Sequence, residues 1–144
     1  MSIEEAYEMT QTEENAKKIF IDVYTDWCGW CKRMDKATFQ KPEVAAYMNK
    51  HYYNVKFNAE QKEDITILNN TFTFVAQGQR GYHELAAALL NGKMSYPTVI
   101  FMNDKFEILS PVPGYQEPVQ FLQIANFFGS NAYKNIPWEE YVKP

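Results

Sequence analysis

The chain has 144 residues, 14 of them basic and 18 acidic, for a formal net charge of -4. That length suits one domain, residues 1–144, large enough to bury a core without covalent staples, and the absence of a contiguous basic run argues against nucleic acid or anionic lipid as a partner. Two cysteines and two distant histidines, His51 and His83, fall short of a disulfide framework and of the four paired ligands of a structural zinc site, so no metal and no other cofactor is expected.

The first segment, MSIEEAYEMTQTEENAKK, is acidic and helix-like. Ser2 and Glu5 form a capping-box pattern, Ile3, Ala6 and Tyr7 follow at helical spacing, and a helix is predicted over 3–16. It lacks the apolar core of a signal peptide, and no apolar run elsewhere reaches bilayer-spanning length, so a soluble protein without membrane insertion is expected. The run from Ile19 to Thr25 is short, β-branched and aromatic, with one acid inside it, Asp22, and reads as a buried strand ending just before Cys28. From Cys28 the spacing turns helical, with Met34, Ala37 and Thr38 on one face. Pro42 stops or kinks that helix and starts another through Val44, Tyr47 and Met48.

Tyr52 to Asn58 is the next predicted strand, and strand, helix, strand in this succession implies a parallel pair with a right-handed crossover. In DITILNNTFTFV two β-prone runs surround Asn69-Asn70, a predicted hairpin. Beyond the glycine-punctuated QGQRG, YHELAAALL has strong helix propensity and ends at Asn91-Gly92. YPTVIFM and FEILS flank the turn Asn103-Asp104-Lys105 as a second hairpin, Glu117 to Phe128 makes a last amphipathic helix, and the tail is expected to pack through Tyr133, Trp138 and Tyr141. The fold class is therefore α/β: a mixed sheet, parallel first and antiparallel last, with helices on its faces and an inserted hairpin.

A cysteine at a helix N-terminus meets unpaired N–H groups and the positive end of the helix dipole, which favour thiolate over thiol. Cys28 has that placement, and Cys31, one turn on, is close enough to attack a mixed disulfide formed at Cys28. Lys32 either adds positive charge there or is simply solvated. Asp22 lies six residues before Cys28, where an unpaired buried ion would be unfavourable, so it should be neutral, paired or both. Lys56 on the adjacent strand is the candidate partner, and a carboxyl of raised pKa could shuttle the proton that Cys31 must lose. The alternative is an Asp22 that faces solvent from an edge strand. Trp27 and Trp30, on either side of Cys28, read as a substrate surface or as core. Pro97 stands at the first position of a strand, and the ordinary preference of X-Pro bonds is trans. His83, three residues into a predicted helix, reads as a surface or capping histidine.

The segment TDWCGWCK resembles the active site of the thioredoxins, and the likeness goes beyond the C-x-x-C spacing. Asp22 falls where that family has a buried aspartate, Lys56 where it has a neighbouring lysine, Pro97 in YPTVIF where it has a cis-proline facing the disulfide, and Gly114 at its later glycine, so that residues 17 to 128 are mostly covered. Within that superfamily, DVYTDWCGWCKRMDKATFQKPEV is most similar to the subgroup with the C-terminal reductase domain of the bacterial transmembrane disulfide-reductant conductor. The resemblance implies a thioredoxin-like fold and a thiol:disulfide oxidoreductase delivering electrons outside the cytoplasm, in the periplasm, with the cytoplasm as the alternative. Cys28 would be nucleophile, Cys31 resolver, Asp22 with Lys56 proton handlers, and Trp27, Trp30, Tyr96 and Pro97 the substrate-holding surface. Expected partners are disulfide-containing proteins and an upstream electron donor, met as a monomer. Two departures stand out: Gly-Trp between the cysteines where thioredoxins have Gly-Pro, and a longer stretch from Glu63 to Gly92. An oxidase or isomerase, or a binding module without turnover, are the rival readings.

Overall fold

A computed structural model describes residues 1–143. Its frame is a four-stranded sheet of order β2-β1-β7-β8, built from β1 (Lys18–Tyr24), β2 (Tyr52–Asn58), β7 (Thr98–Met102) and β8 (Ile108–Pro113). β1 runs parallel to β2 and antiparallel to β7, and β7 pairs antiparallel with β8. The connection from β1 to β2 carries α2 (Gly29–Met34), a π-helical turn (Asp35–Phe39) and α3 (Pro42–His51), with Pro42 in the first turn of α3, where its missing N–H is harmless. β8 is an outer strand and tolerates Pro111 and Pro113 for the same reason.

Alternation along the strands splits the core in two. Ile19, Ile21, Val23, Val55, Phe57 and Ile100 pack on one face against α1 (Ile3–Thr12) and α4 (Glu84–Leu89), through Ile3, Ala6, Leu85 and Ala86. Phe20, Val99 and Phe101 pack on the other face against α2, α3 and α5 (Pro118–Gly129), through Met34, Val44, Met48, Phe121 and Ala125. The tail joins this second face through Tyr133, Trp138 and Tyr141, as expected from its aromatics. Tyr52 closes the joint between sheet and α5, its buried hydroxyl donating to the Ala125 carbonyl at 2.6 Å. Because that carbonyl keeps a place in the helix ladder, Tyr52→Phe is expected to lower unfolding free energy by only about 1 kcal/mol in urea titration.

Several elements differ from the sequence expectation. α1 has its capping box but ends at Thr12 rather than 16, where Glu13 and Glu14 would place negative charge on the negative end of the dipole. The first inserted hairpin, β3 (Ile65–Ile67) with β4 (Asn70–Phe72), turns at Leu68-Asn69, both at positive φ, one residue before the expected pair. A second one follows that QGQRG had concealed: β5 (Phe74–Gln77) pairs with β6 (Arg80–His83) around Gly78-Gln79. Glycine at the first central position of a two-residue turn was the available signal, with Gly78 at φ +62°. His83 is the last residue of β6 and is fully buried rather than at the surface. Its capping role holds: Nδ1 accepts the Leu85 N–H at 3.2 Å, and Nε2 meets the Glu63 carbonyl at 2.9 Å.

Candidate active site

β1 delivers its C-terminal end to the start of α2, and Cys28 sits at the join as the N-cap residue. Its Sγ accepts the backbone N–H of Cys31 at 3.0 Å, and the two cysteines are joined as a disulfide with Cα atoms 5.3 Å apart. On reduction, that N–H and the end of the helix are oriented to stabilise negative charge on the Cys28 sulfur. Both cysteines are about 5 % exposed, so the indoles on either side form the accessible rim: Trp27 is 51 % and Trp30 55 % exposed, a surface role rather than a core one.

Asp22 belongs to an inner strand, opposite Lys56 on one side and Val99 on the other, which rules out the edge-strand alternative. It is 4 % exposed, and its Oδ1 has no hydrogen-bond partner in the protein. Burial raises its pKa; the Lys56 ammonium offsets part of that and the Asp35 carboxylate adds to it, leaving the group at about 6. Asp22 and Cys31 line one cavity of about 150 Å³ with Thr25, Lys32, Asp35 and Lys56. That is room enough for water between carboxyl and sulfur. Lys56, in register with Asp22, places its ammonium 3.5 Å from Asp35 and 4.9 Å from the Tyr24 ring centre. The direct Asp22–Lys56 pair anticipated from sequence is thus replaced by an Asp35–Lys56 pair, with Lys56 acting on Asp22 only through its field. Asp35, four residues after Cys31 on the same helical run, was readable at that spacing and was missed.

Tyr96 and Pro97 enter at the same end of the sheet, because Thr98 pairs with Val23. The Tyr96-Pro97 bond is cis, against the general preference for trans and in line with the family resemblance. Tyr96 meets Trp27 edge-on with ring centres 5.9 Å apart, and the Pro97 carbonyl accepts the N–H of Gly114 at 2.9 Å, with Gly114 at φ +93°. Tyr115 adds to the rim at 5.5 Å from Trp30, and Glu60 accepts the Trp27 indole N–H at 2.9 Å. No local pattern in the sequence pointed to either residue. Among the described residues there is no cluster of three or more His, Cys, Asp or Glu that could hold a metal, and no helix is long and apolar enough to cross a membrane.

A thioredoxin-fold protein from Helicobacter pylori superposes with TM-score 0.65 at 20% identity, over 86% of this chain and 76% of that one. A protein from Bacteroides thetaiotaomicron, described as a candidate disulphide-isomerase, superposes with TM-score 0.60 at 27% identity, over 88% and 87%. The thiol:disulfide interchange protein DsbD of Vibrio vulnificus is 33% identical over 69 residues, 46% of this chain and 12% of that protein. The chain spans about a tenth of the length of the curated relatives it matches. The solved structures show a thioredoxin fold, and the likeness to DsbD together with the Cys28–Cys31 pair supports thiol–disulfide redox chemistry on it. Residues 3–114 match the family model Thioredox_DsbH, described as a protein of unknown function, DUF255, and the chain belongs to that family.

Proposed function

We propose that this chain is a protein-disulfide reductase that works through the Cys28/Cys31 dithiol. The observation that carries the reading is a buried acid, Asp22, sharing a cavity with Cys31, while Cys28 takes the helix N-cap one turn away. The Cys28 thiolate attacks one sulfur of the substrate disulfide, forming a mixed disulfide and expelling the other sulfur as a thiolate. Asp22 takes the proton of the Cys31 thiol through the cavity, and the Cys31 sulfur then attacks the Cys28 sulfur. That attack expels the second substrate sulfur as a thiolate; the substrate leaves two electrons richer, its two thiolates taking one proton from Asp22 and one from solvent, and Cys28–Cys31 is left as a disulfide for a dithiol donor to reduce. Lys56 limits the rise of the Asp22 pKa through its field. Trp27, Trp30, Tyr96 and Pro97 hold the substrate chain beside the sulfurs.

The reduction potential tests the direction of electron flow, read from Trp27 and Trp30 fluorescence in dithiothreitol or glutathione buffers. A reversible couple at or below about -250 mV is the expected result for a reductant, and one near -120 to -180 mV would make the chain an oxidase or isomerase instead. The isomerase reading has its own support in the Bacteroides thetaiotaomicron relative. A place of action outside the cytoplasm is the part of this reading that rests on the resemblance of the TDWCGWCK segment alone, and it is tested by fractionating the source cells. Recovery of the protein only in the cytoplasm would overturn that part.

A further inference from the structure

The chain contains twelve lysines but only two arginines, Arg33 and Arg80, and each arginine stands over one of the two tryptophans that flank Cys28. The Arg80 guanidinium lies 4.4 Å from the centre of the Trp27 ring, and Arg33 lies 5.3 Å from that of Trp30. Arg33 reaches its ring from the same short helix. Arg80 is brought to Trp27 from 53 positions away, on the tip of the β5–β6 hairpin.

That hairpin is fixed at its base. The His83 N–H donates to the Ala59 carbonyl at 2.7 Å, its ring bonds Glu63 and Leu85, and Glu84 accepts from both the N–H and the hydroxyl of Thr73 at 2.8 and 2.9 Å. Gly81 lets Phe74 lie across the hairpin, since a Cβ there would collide with the Phe74 ring and the Val75 carbonyl. The tip therefore has a defined position beside Trp27.

Neither arginine is within ion-pair distance of a carboxylate among the described residues, where the ion pairs are Lys56–Asp35 and Lys143–Glu140. The nearby acids are engaged elsewhere: Glu60 on the Trp27 indole, Asp35 on Lys56, and Asp26 on the Asn58 amide at 3.3 Å. A guanidinium held over an indole by cation–π attraction and not paired with a carboxylate keeps N–H donors available, and their fork matches a carboxylate.

We propose that Arg80 and Arg33 are specificity residues that select partner segments with Asp or Glu beside the target cysteine, and that the β5–β6 hairpin exists to carry the first of them. This deepens the reductase reading and rests on the same site, but the recognition is non-covalent and can be read without turnover. The occupant is an acidic extended peptide, whose charge the site complements although the chain as a whole is acidic.

The test uses the full oxidised chain and two synthetic peptides with serine in place of the target cysteine, one flanked by Asp and Glu, the other by Asn and Gln. Binding is followed by quenching of tryptophan fluorescence. The acidic peptide is expected to bind about five- to tenfold more tightly than its amide twin, and the preference should shrink as salt rises. Arg80→Gln with Arg33→Gln should bring the ratio to about one, and Arg80→Lys should recover only part of it, because lysine keeps the charge but loses the fork. Lys105→Gln, at the opposite end of the sheet, should leave the ratio unchanged. Equal affinity of the wild-type chain for the two peptides, or a ratio that survives the double substitution, would overturn the proposal. A parallel assay with cysteine-containing disulfide versions of the peptides separates the two readings: no reduction of either, with discrimination intact in binding, would sink the reductase and leave the arginine selection standing.

Discussion

Cys28→Ser is expected to abolish reduction of a protein disulfide, by at least about a thousandfold, since loss of a covalent nucleophile removes the pathway rather than tuning it. Cys31→Ser should behave differently. Cys28 would still open the substrate disulfide, but no second sulfur one turn away could release it, so a mixed disulfide with the partner should accumulate and be visible on a non-reducing gel. The asymmetry follows from placement: Cys28 caps the helix and receives the Cys31 N–H, while Cys31 lies inside the first turn and lines the cavity with Asp22. If the two serine variants were equally inert and neither trapped a partner, the assignment of attacking and resolving sulfurs would be wrong.

Asp22→Asn should both stabilise the protein and slow it. The folded pKa of about 6 lies above the ordinary value of 3.8, so the folded state holds this proton more tightly than the unfolded state does. Below about pH 4 the carboxyl is neutral in both states and costs nothing; between about pH 4 and 6 the unfolded state gives up the proton while the folded state keeps it, so stability falls and levels off once the folded group ionises as well. At 1.36 kcal/mol per pKa unit, the two-unit rise corresponds to a burden of about 3 kcal/mol above pH 7. The asparagine variant should escape most of that burden at pH 7.5 and gain nothing near pH 3.5, in paired urea titrations. With the proton acceptor gone, resolution by Cys31 should slow by about a hundredfold, and the rise of that rate with pH around 6 should flatten. A variant stabilised equally at both pH values would show that something other than the buried charge is responsible. An unchanged rate of resolution would remove Asp22 from the proton path.

The local elements nearest the site were legible because each satisfies a short-range rule. β1 is a β-branched run bounded by the helix that Cys28 caps, Pro42 marks the restart of the helix, and β2 was read with its observed ends at Tyr52 and Asn58. The parallel β1–β2 pair also followed, since a strand, helix, strand succession of this length implies a right-handed crossover. The cysteines and Asp22 stood out as residue types unusual for their settings. Less was legible where the deciding partner is distant in the chain. That Asp22 is on an inner strand depends on β7 pairing with β1 from almost eighty residues on. That Lys56 turns to Asp35 depends on how the π-helical run packs over the sheet.

By itself, then, the sequence determined the fold class, the redox pair and the buried acid behind it, because periodicity, capping and the cost of burying charge act over a few residues. The tertiary structure alone decided what joins Trp27 and Trp30 at the rim. Two arginines 47 positions apart converge on the indoles beside Cys28, a histidine expected at the surface or as a cap is a buried cap at the foot of a hairpin, and that hairpin carries one of the arginines to the site. Such convergence is set by packing between elements remote in the chain, and no local pattern of residues encodes it.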